Sequence, residues 1–214
     1  MKRFFLYSMQ GKIIALLLLF MTLSLGASWF TVHYTSQTIM TGEKEDKLMA
    51  FAAFLDINLG ERGYNDILAE FGAQDASREE KIAVLNSQLR DTADGVAAAY
   101  PGVGVGYYSR ELDAILAYGP SSEYGQTVGT SLAEDHPGRA VMESGLAAVR
   151  QGVMIRGDIM NAMHPLVRNG EIIGYIWANE MTTAIEKQFN SLTNSILLVL
   201  VLFYIVSVLA AVAL

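Results

Sequence analysis

Two segments of the chain, residues 13–32 and 192–214, consist mainly of apolar residues and contain no charged residue. A helix needs about 20 such residues to cross the ~30 Å hydrocarbon layer of a bilayer, where its backbone groups must be satisfied internally. A core helix of a water-soluble domain would usually carry a polar face, which neither segment has. The pattern therefore predicts two membrane-spanning helices.

The first segment could alternatively be a cleaved signal peptide, because Lys2, Arg3 and Lys12 precede it and residues 25–28 include small side chains. The apolar core of a signal peptide has about 7–15 residues, and this segment is longer. It also continues directly into a sequence with helical character. These features favour an uncleaved anchor.

The distribution of charge predicts the orientation in the membrane. All 22 acidic residues lie between Glu43 and Glu186, whereas three of the 15 basic residues precede the first apolar segment. Because cytoplasmic flanks are rich in Lys and Arg, residues 1–12 are predicted to be cytoplasmic and residues 33–191 exported. An acidic exported domain argues against nucleic acid as a partner. The end of the sequence just after the second segment predicts that it is the N-terminal part of a longer protein.

Residues 33–100 show the spacing of long helices. Apolar residues recur three and four positions apart in the first part of this region, at Leu48, Phe51, Ala52, Leu55 and Leu59. Ser77 and Glu80 form the pattern of a capping box at the start of a second amphipathic helix that extends to about Tyr100. A short helix is predicted near residues 64–71.

Residues 101–181 show strand-like patterns after the break at Pro101-Gly102. The predicted strands are residues 103–108, 113–118, 153–163, 165–167 and 171–179, with a loop at 119–132 and a short helix at 137–145. Asn169-Gly170, between two β-prone runs, predicts a hairpin with a type I′ turn. The predicted fold class is α+β, an antiparallel sheet preceded by long helices and flanked by two transmembrane helices.

This arrangement resembles the single Cache family, the PAS-like extracytoplasmic sensors of bacterial histidine kinases, chemoreceptors and cyclic-dinucleotide enzymes. The resemblance covers most of residues 103–180, and its motifs are Ala117-Tyr-Gly-Pro120, Val128-Gly-Thr-Ser131, His136-Pro-Gly-Arg139 and Met163-His-Pro-Leu-Val-Arg-Asn-Gly-Glu-Ile-Ile-Gly174. It implies a PAS-like sheet with a small-molecule pocket, in a multi-pass protein of the bacterial inner membrane.

Citrate- and fumarate-sensing members of the family bind carboxylates through Arg, Lys and His on two strands. The corresponding positions here hold neutral residues, namely Leu116, Ala117 and Gly119 on one strand and Asn161 and Met163 on the other. An anion buried without a compensating charge is costly. We therefore do not expect a di- or tricarboxylate bound in that manner.

The most polar part of the predicted sheet contains Arg156, Asp158 and Asn161. Arg binds a carboxylate with two hydrogen bonds and Asp can hold an ammonium, so the pair suits an amino acid or a similar small polar metabolite. An internal Arg156–Asp158 ion pair on a solvated edge is the alternative. In an ideal strand Asn161 would point away from the other two, so their convergence would need a bulge.

Aromatic residues and one further cation complete the candidate ligand-binding set. Tyr107, Tyr118, Tyr175 and Trp177 offer apolar surface with polar tips, and Arg139 lies in the third motif of the resemblance. Plain core packing is the alternative for the aromatic residues.

The sequence gives little support for a metal site or a catalytic site. His136 and His164, with Met154, Met160 and Met163 as soft ligands, lack paired spacing and Cys, so neither a metal nor a cofactor is predicted. No phosphate loop and no pair of nucleophile and base is present. The chain as given carries no catalytic residues.

The predicted function is that of a transmembrane receptor, of which this chain is the sensor part. A ligand in the exported domain would shift it between two states and move the second span relative to the first. Signalling would occur through a homodimer packed along residues 43–59, to a cytoplasmic histidine kinase of a two-component system. A chemoreceptor or a diguanylate cyclase is the alternative output, and a protein-interaction module without a small ligand is the alternative function.

Overall fold

The computed structural model describes residues 9–213, apart from the side chains of residues 10 and 211–213. The predicted cytoplasmic N-terminus and the predicted end of the second span rest partly on Lys2, Arg3 and Leu214. These three residues lie outside the described residues. The chain divides into a central unit, Glu43–Ile185, and a terminal unit that contains residues 9–42 and 186–213. We describe each unit by itself.

Two long helices contribute to the terminal unit. Helix α1 extends over Met9–Leu59 and helix α6 over Thr182–Ala213. Both are long and apolar enough to cross a membrane, with mean hydropathies of 2.2 and 2.5 in their most apolar windows. Within this unit the hydroxyls of Thr22 and Tyr204 are 2.8 Å apart. The prediction that the first apolar segment continues into a long helix is confirmed.

Two further helices precede the sheet in the central unit. Helix α2 is Tyr64–Glu70 and helix α3 is Arg78–Ala99. At the start of α3, the amide of Glu80 donates to Ser77 Oγ and the amide of Ser77 donates to Glu80 Oε2. The predicted capping box is therefore present, and it satisfies two backbone amides that would otherwise lack partners at the helix end.

The sheet has five antiparallel strands in the order β2-β1-β5-β4-β3. The strands are β1 (Val103–Ser109), β2 (Ala114–Gly119), β3 (Ala148–Met154), β4 (Gly157–Arg168) and β5 (Glu171–Met181). Helix α4 (Ser121–Tyr124), a 3₁₀ turn (Gly125–Thr127) and helix α5 (Pro137–Ser144) lie between β2 and β3. The predicted α+β class is confirmed, and the region predicted as loop contains two short helical turns.

The hairpin between β4 and β5 turns at the predicted dipeptide. Asn169 has φ +53° and Gly170 has φ +81°. Positive φ at both central residues defines the type I′ turn that suits the twist of antiparallel strands. The predicted hairpin is confirmed.

The sequence prediction of a single strand over residues 153–163 is wrong. The chain turns at Ile155-Arg156, so that residues 153–154 end β3 and residue 157 begins β4. Gly157 has φ +106°, which makes this tight reversal possible. Strand β3 was not predicted because it is an edge strand with half-exposed and exposed residues throughout, so that no clear alternation marks it.

Helices cover both faces of the sheet. On one face the Tyr107 hydroxyl donates to the carbonyl of Leu55 in α1, and Asn86 in α3 donates to the carbonyl of Leu116. The opposite face carries an apolar cluster beneath α5, composed of Tyr108, Ile115, Tyr118, Leu132, Val141, Met142, Met163, Tyr175 and Trp177. The cavity described next lies beside this cluster.

Candidate ligand-binding site

A small cavity lies between the α5 face of the sheet and the segments that cover it. Its lining residues are Ile115, Tyr118, Leu132, His136, Met154, Ile155, Ile159, Asn161, Tyr175, Trp177 and Asn179. The volume is ≈ 20 Å³, which is room for about one water molecule. A ligand larger than water therefore requires movement of side chains or of the segment that covers the cavity.

Three aromatic rings form one wall of the cavity. The ring centroids of Tyr118 and Tyr175 lie 5.2 Å and 5.5 Å from that of Trp177. Burial raises the pKa of Tyr118, which keeps its hydroxyl protonated. The wall is thus apolar with uncharged polar tips.

Two glycines of β1 make room for this wall. A Cβ at Gly106 would lie 2.3 Å from both the Trp177 ring and the carbonyl oxygen of Ala117. A Cβ at Gly104 would lie 2.7 Å from Asn179 Oδ1. The alternating glycines after Pro101 therefore permit the close approach of side chains from neighbouring strands.

Two asparagines face each other across β4 and β5. Asn161 is the register partner of Asn179. Asn179 donates from Nδ2 to the Tyr118 hydroxyl at 3.0 Å and accepts at Oδ1 from Arg156 at 3.0 Å. Asn161 donates from Nδ2 to Met154 Sδ at 3.4 Å, and its Oδ1 is buried without a partner among the described residues.

Arg156 lies at the edge of the site, in the turn between β3 and β4. It donates to the Tyr124 hydroxyl at 3.1 Å and to the carbonyl of Gly102 at 2.9 Å, in addition to Asn179. Its guanidinium lies over the Tyr124 ring, 5.2 Å from the centroid. These bonds hold the turn, and with it Met154 and Ile155, over the cavity.

The other predicted site residues lie elsewhere. Asp158 is exposed, and the described part of the chain contains no ion pair between Asp158 and Arg156. Tyr107 is buried on the α1 face. Arg139 donates to the carbonyl of Leu132 at 2.7 Å and pairs with Asp113 at 3.2 Å. Arg139 thus holds the loop that supplies Leu132 to the cavity.

The structure therefore brings together part of the predicted set. Tyr118, Asn161 and Trp177 line the cavity, and Arg156 contacts it through Asn179. Tyr175, one of the four aromatic candidates, also lines the cavity. The lining residues that were not predicted as ligand contacts are Ile115, Leu132, His136, Met154, Ile155, Ile159 and Asn179. For Asn179 a signal existed, because strand alternation places it on the same face as Trp177.

His136 is the only titratable residue of the described cavity lining apart from the tyrosines. Its Nδ1 accepts from the amide of Gly138 at 3.0 Å and so caps α5. Because Nδ1 is an acceptor, the proton of the neutral ring resides on Nε2. Burial, and then the nearby charge of Arg139, lowers the pKa of His136. The imidazole is neutral at pH 7.

This shift predicts that the central unit loses stability on acidification. The unfolded chain binds a proton at His136 near pH ~6.5, whereas the folded state takes it up only at lower pH, so stability falls between these two pKa values. The thermal midpoint should therefore drop between about pH 7.5 and pH 5.5. His136→Asn keeps a capping side chain without a titrating group and should show a smaller drop. An equal drop in both proteins would contradict this assignment.

The PAS-like sheet with long N-terminal helices and a cavity on one face is the fold of Cache-type domains. A sequence profile of the AtoS N-terminal domain matches residues 10–187, and the chain belongs to this family. It is 41% identical over 188 residues to the signal transduction histidine-protein kinase AtoS of Escherichia coli strain K12. That alignment covers 88% of this chain and 29% of the kinase.

Solved structures at low sequence identity share the fold. One is the ligand-binding domain of the Campylobacter jejuni chemoreceptor Tlp3 in complex with L-norvaline, with a TM-score of 0.55, 8% identity, and coverage of 79% of this chain and 62% of that one. Another is the sensor domain of the V. cholerae histidine kinase DctB, with a TM-score of 0.52, 12% identity, and coverage of 76% and 60%. These likenesses concern the fold alone.

Proposed function

We propose that residues 33–191 form an extracytoplasmic sensor held between transmembrane helices at 13–32 and 192–214, in the inner membrane of a bacterium. Membership of a family of sensor-kinase N-terminal domains supports this, as do the two apolar helices. The location of all acidic residues between Glu43 and Glu186 supports the export of the middle of the chain.

The ligand is a small polar molecule such as an amino acid, bound in the cavity beside Trp177. The observation that carries this proposal is a cavity with an aromatic wall and a few convergent polar groups, which is the usual composition of small-molecule sites. The fold is also that of domains whose structures contain L-norvaline and L-valine. Arg156 would bind a carboxylate after leaving Asn179. Asp158, Tyr107 and Arg139 do not line the cavity, and their role in ligand binding stays a prediction.

The output proposed for the longer protein is a histidine kinase, because the chain matches the N-terminal part of one. A chemoreceptor and a diguanylate cyclase remain the alternatives, since the chain spans 29% of that kinase. The effect of a ligand on the phosphorylation of a full-length protein would distinguish them.

Strand β5 offers a direct route from the cavity to the helices. Asn179 lies at the cavity, and the next residue, Glu180, points to the opposite face. Glu180 is buried and pairs with Lys44 of α1 at 2.9 Å. Helix α6 begins two residues further on, at Thr182. A shift of β5 on ligand binding would therefore act on both chain segments that lead to the predicted spans.

We further propose a homodimer that packs along residues 43–59. Besides its buried stripe, α1 carries an exposed apolar stripe that includes Phe54 and Ile57, which are 47% and 76% exposed. Beside it, between α1 and α3, lies a groove of ≈ 530 Å³. An exposed apolar stripe of this kind is typical of an interaction surface.

A cysteine at position 57 should test the dimer. The chain contains no Cys, so an Ile57→Cys variant in membranes should form a single disulfide-linked dimer on mild oxidation. Gln151→Cys, at an exposed position on the edge strand β3, is the control and should remain monomeric under the same conditions. Equal cross-linking of the two variants would argue against a specific contact at α1.

A protein-interaction module without a small ligand is the second candidate function. The small volume of the cavity and the exposed Phe54 and Ile57 favour it. In that case the α1 stripe would bind another protein and Ile57→Cys would not link two copies of this chain.

Thermal-shift screening of the chain in nanodiscs tests the ligand proposal. Amino acids, amines and carboxylates would be compared, and at least one should raise the midpoint in a concentration-dependent way because it binds only the folded state. Met154→Trp, which places a bulky ring in the cavity, should abolish the shift. A panel without any stabilising compound would count against small-molecule sensing.

A further inference from the structure

Asn161 occupies a position in the cavity that a structural role does not explain. The residue lies in the middle of β4, is 3% exposed and lines the cavity. Its Oδ1 has no hydrogen-bond partner in the described part of the chain. Burial of a polar atom without a partner costs free energy, and native proteins rarely retain such atoms without a reason.

The chemistry of its neighbour fixes the orientation of this amide. The amide Nδ2 donates to the Met154 thioether at 3.4 Å. A thioether can accept a hydrogen bond but cannot donate one, so Nδ2 must face the sulfur and Oδ1 must be the free atom. The cavity thus contains an unused acceptor.

Asn179 provides an internal comparison, because it is the same residue type, directly across the ladder. Both ends of its amide are bonded, to Tyr118 and to Arg156. Asn179 therefore stabilises the folded domain, whereas Asn161 carries an unsatisfied atom in the same cavity.

The remaining lining restricts the chemistry of an occupant. None of the described lining residues is Asp, Glu, Lys or Arg, and most of the others are aromatic or aliphatic. Such a surface favours a mainly apolar body. Burial keeps the pKa of His136 low, so the imidazole adds no charge at neutral pH.

We propose that Asn161 Oδ1 is the specificity-determining acceptor of this site, and that the proposed small polar ligand carries an N–H or O–H donor on an apolar body, as an amino acid with an apolar side chain does. The inference rests on the proposed ligand-sensing function. The donor reaches Oδ1 when the side chain of Met154 moves aside, which its unbranched and flexible chain allows. Met154 and Ile155 both lie at the β3–β4 turn, so ligand entry displaces this turn.

The first test compares two variants without any ligand. Asn161→Leu keeps the number of side-chain heavy atoms and the branching at Cγ but removes the unsatisfied acceptor, so its thermal midpoint should rise by about 2–5 °C. Asn179→Leu removes bonds that are made, so its midpoint should fall by about 5 °C or more. A fall for Asn161→Leu as large as that for Asn179→Leu would overturn the proposal, because the amide would then be a structural element.

The second test uses matched probes on the full chain in nanodiscs. L-valine is compared with its N,N,N-trimethyl derivative, which has no N–H, and isobutyramide with N,N-dimethylisobutyramide, by calorimetric titration. Where the unmethylated probe of a pair binds, its methylated partner should bind about 10- to 100-fold more weakly. The substitution Asn161→Leu should weaken the binding of the unmethylated probe by a similar factor.

The outcomes separate this inference from the proposed function. Equal binding of a probe and its methylated partner, or full binding to Asn161→Leu, would overturn the role of Asn161 and leave ligand sensing intact. Lack of binding by every probe and by every compound of the thermal-shift panel would overturn both.

Discussion

Replacement of Gly106 by Ala should lower the free energy of unfolding of the central unit by about 3 kcal/mol. The added Cβ would lie 2.3 Å from the carbonyl oxygen of Ala117, which belongs to the backbone of β2 and cannot rotate away. It would also lie 2.3 Å from the Trp177 ring. The two strands must therefore separate, and Trp177 must leave its place in the cavity wall.

Chemical denaturation of the chain in nanodiscs measures this effect. Gly95→Ala is the matched control, because Gly95 is an exposed residue within α3 and a Cβ there meets nothing within 4 Å. The control should gain about 0.5–1 kcal/mol, since Ala is a better helix former than Gly. Stability of the Gly106→Ala variant close to that of the wild type would show that β1 and β2 do not pack this closely.

Loss of the Lys44–Glu180 ion pair should have a comparable effect. The two side chains are only 12% and 5% exposed, and Lys44 Nζ lies 2.9 Å from both carboxylate oxygens. Lys47, at 3.8 Å, is the second cation near this carboxylate. Lys44→Met leaves a buried charge with one distant partner and should cost about 3 kcal/mol in the free energy of unfolding.

A double substitution distinguishes the ion pair from simple packing. When Glu180→Leu is combined with Lys44→Met, no buried charge is left without a partner, so the double variant should be more stable than Lys44→Met alone. Thermal and denaturant unfolding of the wild type, the two single variants and the double variant would complete the double-mutant cycle. If the two losses simply add, the pair does not act as a unit, and the proposed link between β5 and α1 loses its main support.

The elements that the sequence predicts well are those with local signals. Ser77 and Glu80 define their own capping box, and Asn169-Gly170 defines its own turn, because the backbone conformation depends on only a few neighbouring residues. The long α1 follows from apolar spacing over many turns. These signals are sufficient for the fold class.

The composition of the site depends on details that no local signal contains. Counted from the turn at Asn169-Gly170, a regular hairpin would place Asn161 opposite Ala178. A bulge beside Leu166 and Val167 shifts the register by one residue, so that Asn161 faces Asn179 instead. The pairing of the two amides therefore cannot be derived from the sequence alone.

The same limit applies to the aromatic residues of β1 and β2. Both strands are buried on both faces, so their sequences show no alternation that separates Tyr107 from Tyr118. An irregularity in the β1–β2 pairing then brings Ile115 and Tyr118 to the same face, although they are three residues apart. A long-range feature of the sheet thus decides which tyrosine lines the cavity.

The central claim is that a small molecule enters the cavity beside Trp177, and fluorescence can test it directly. The chain has two Trp residues, so Trp29→Phe leaves Trp177 as the only one. Titration of this variant in nanodiscs with the compounds of the thermal-shift panel should give a saturable change in emission for at least one compound. The control is Met154→Trp/Trp177→Phe in the same Trp29→Phe background, which should not show this change at the same concentrations. Thermal stabilisation by a compound without any change in Trp177 emission would place its site elsewhere and contradict the account.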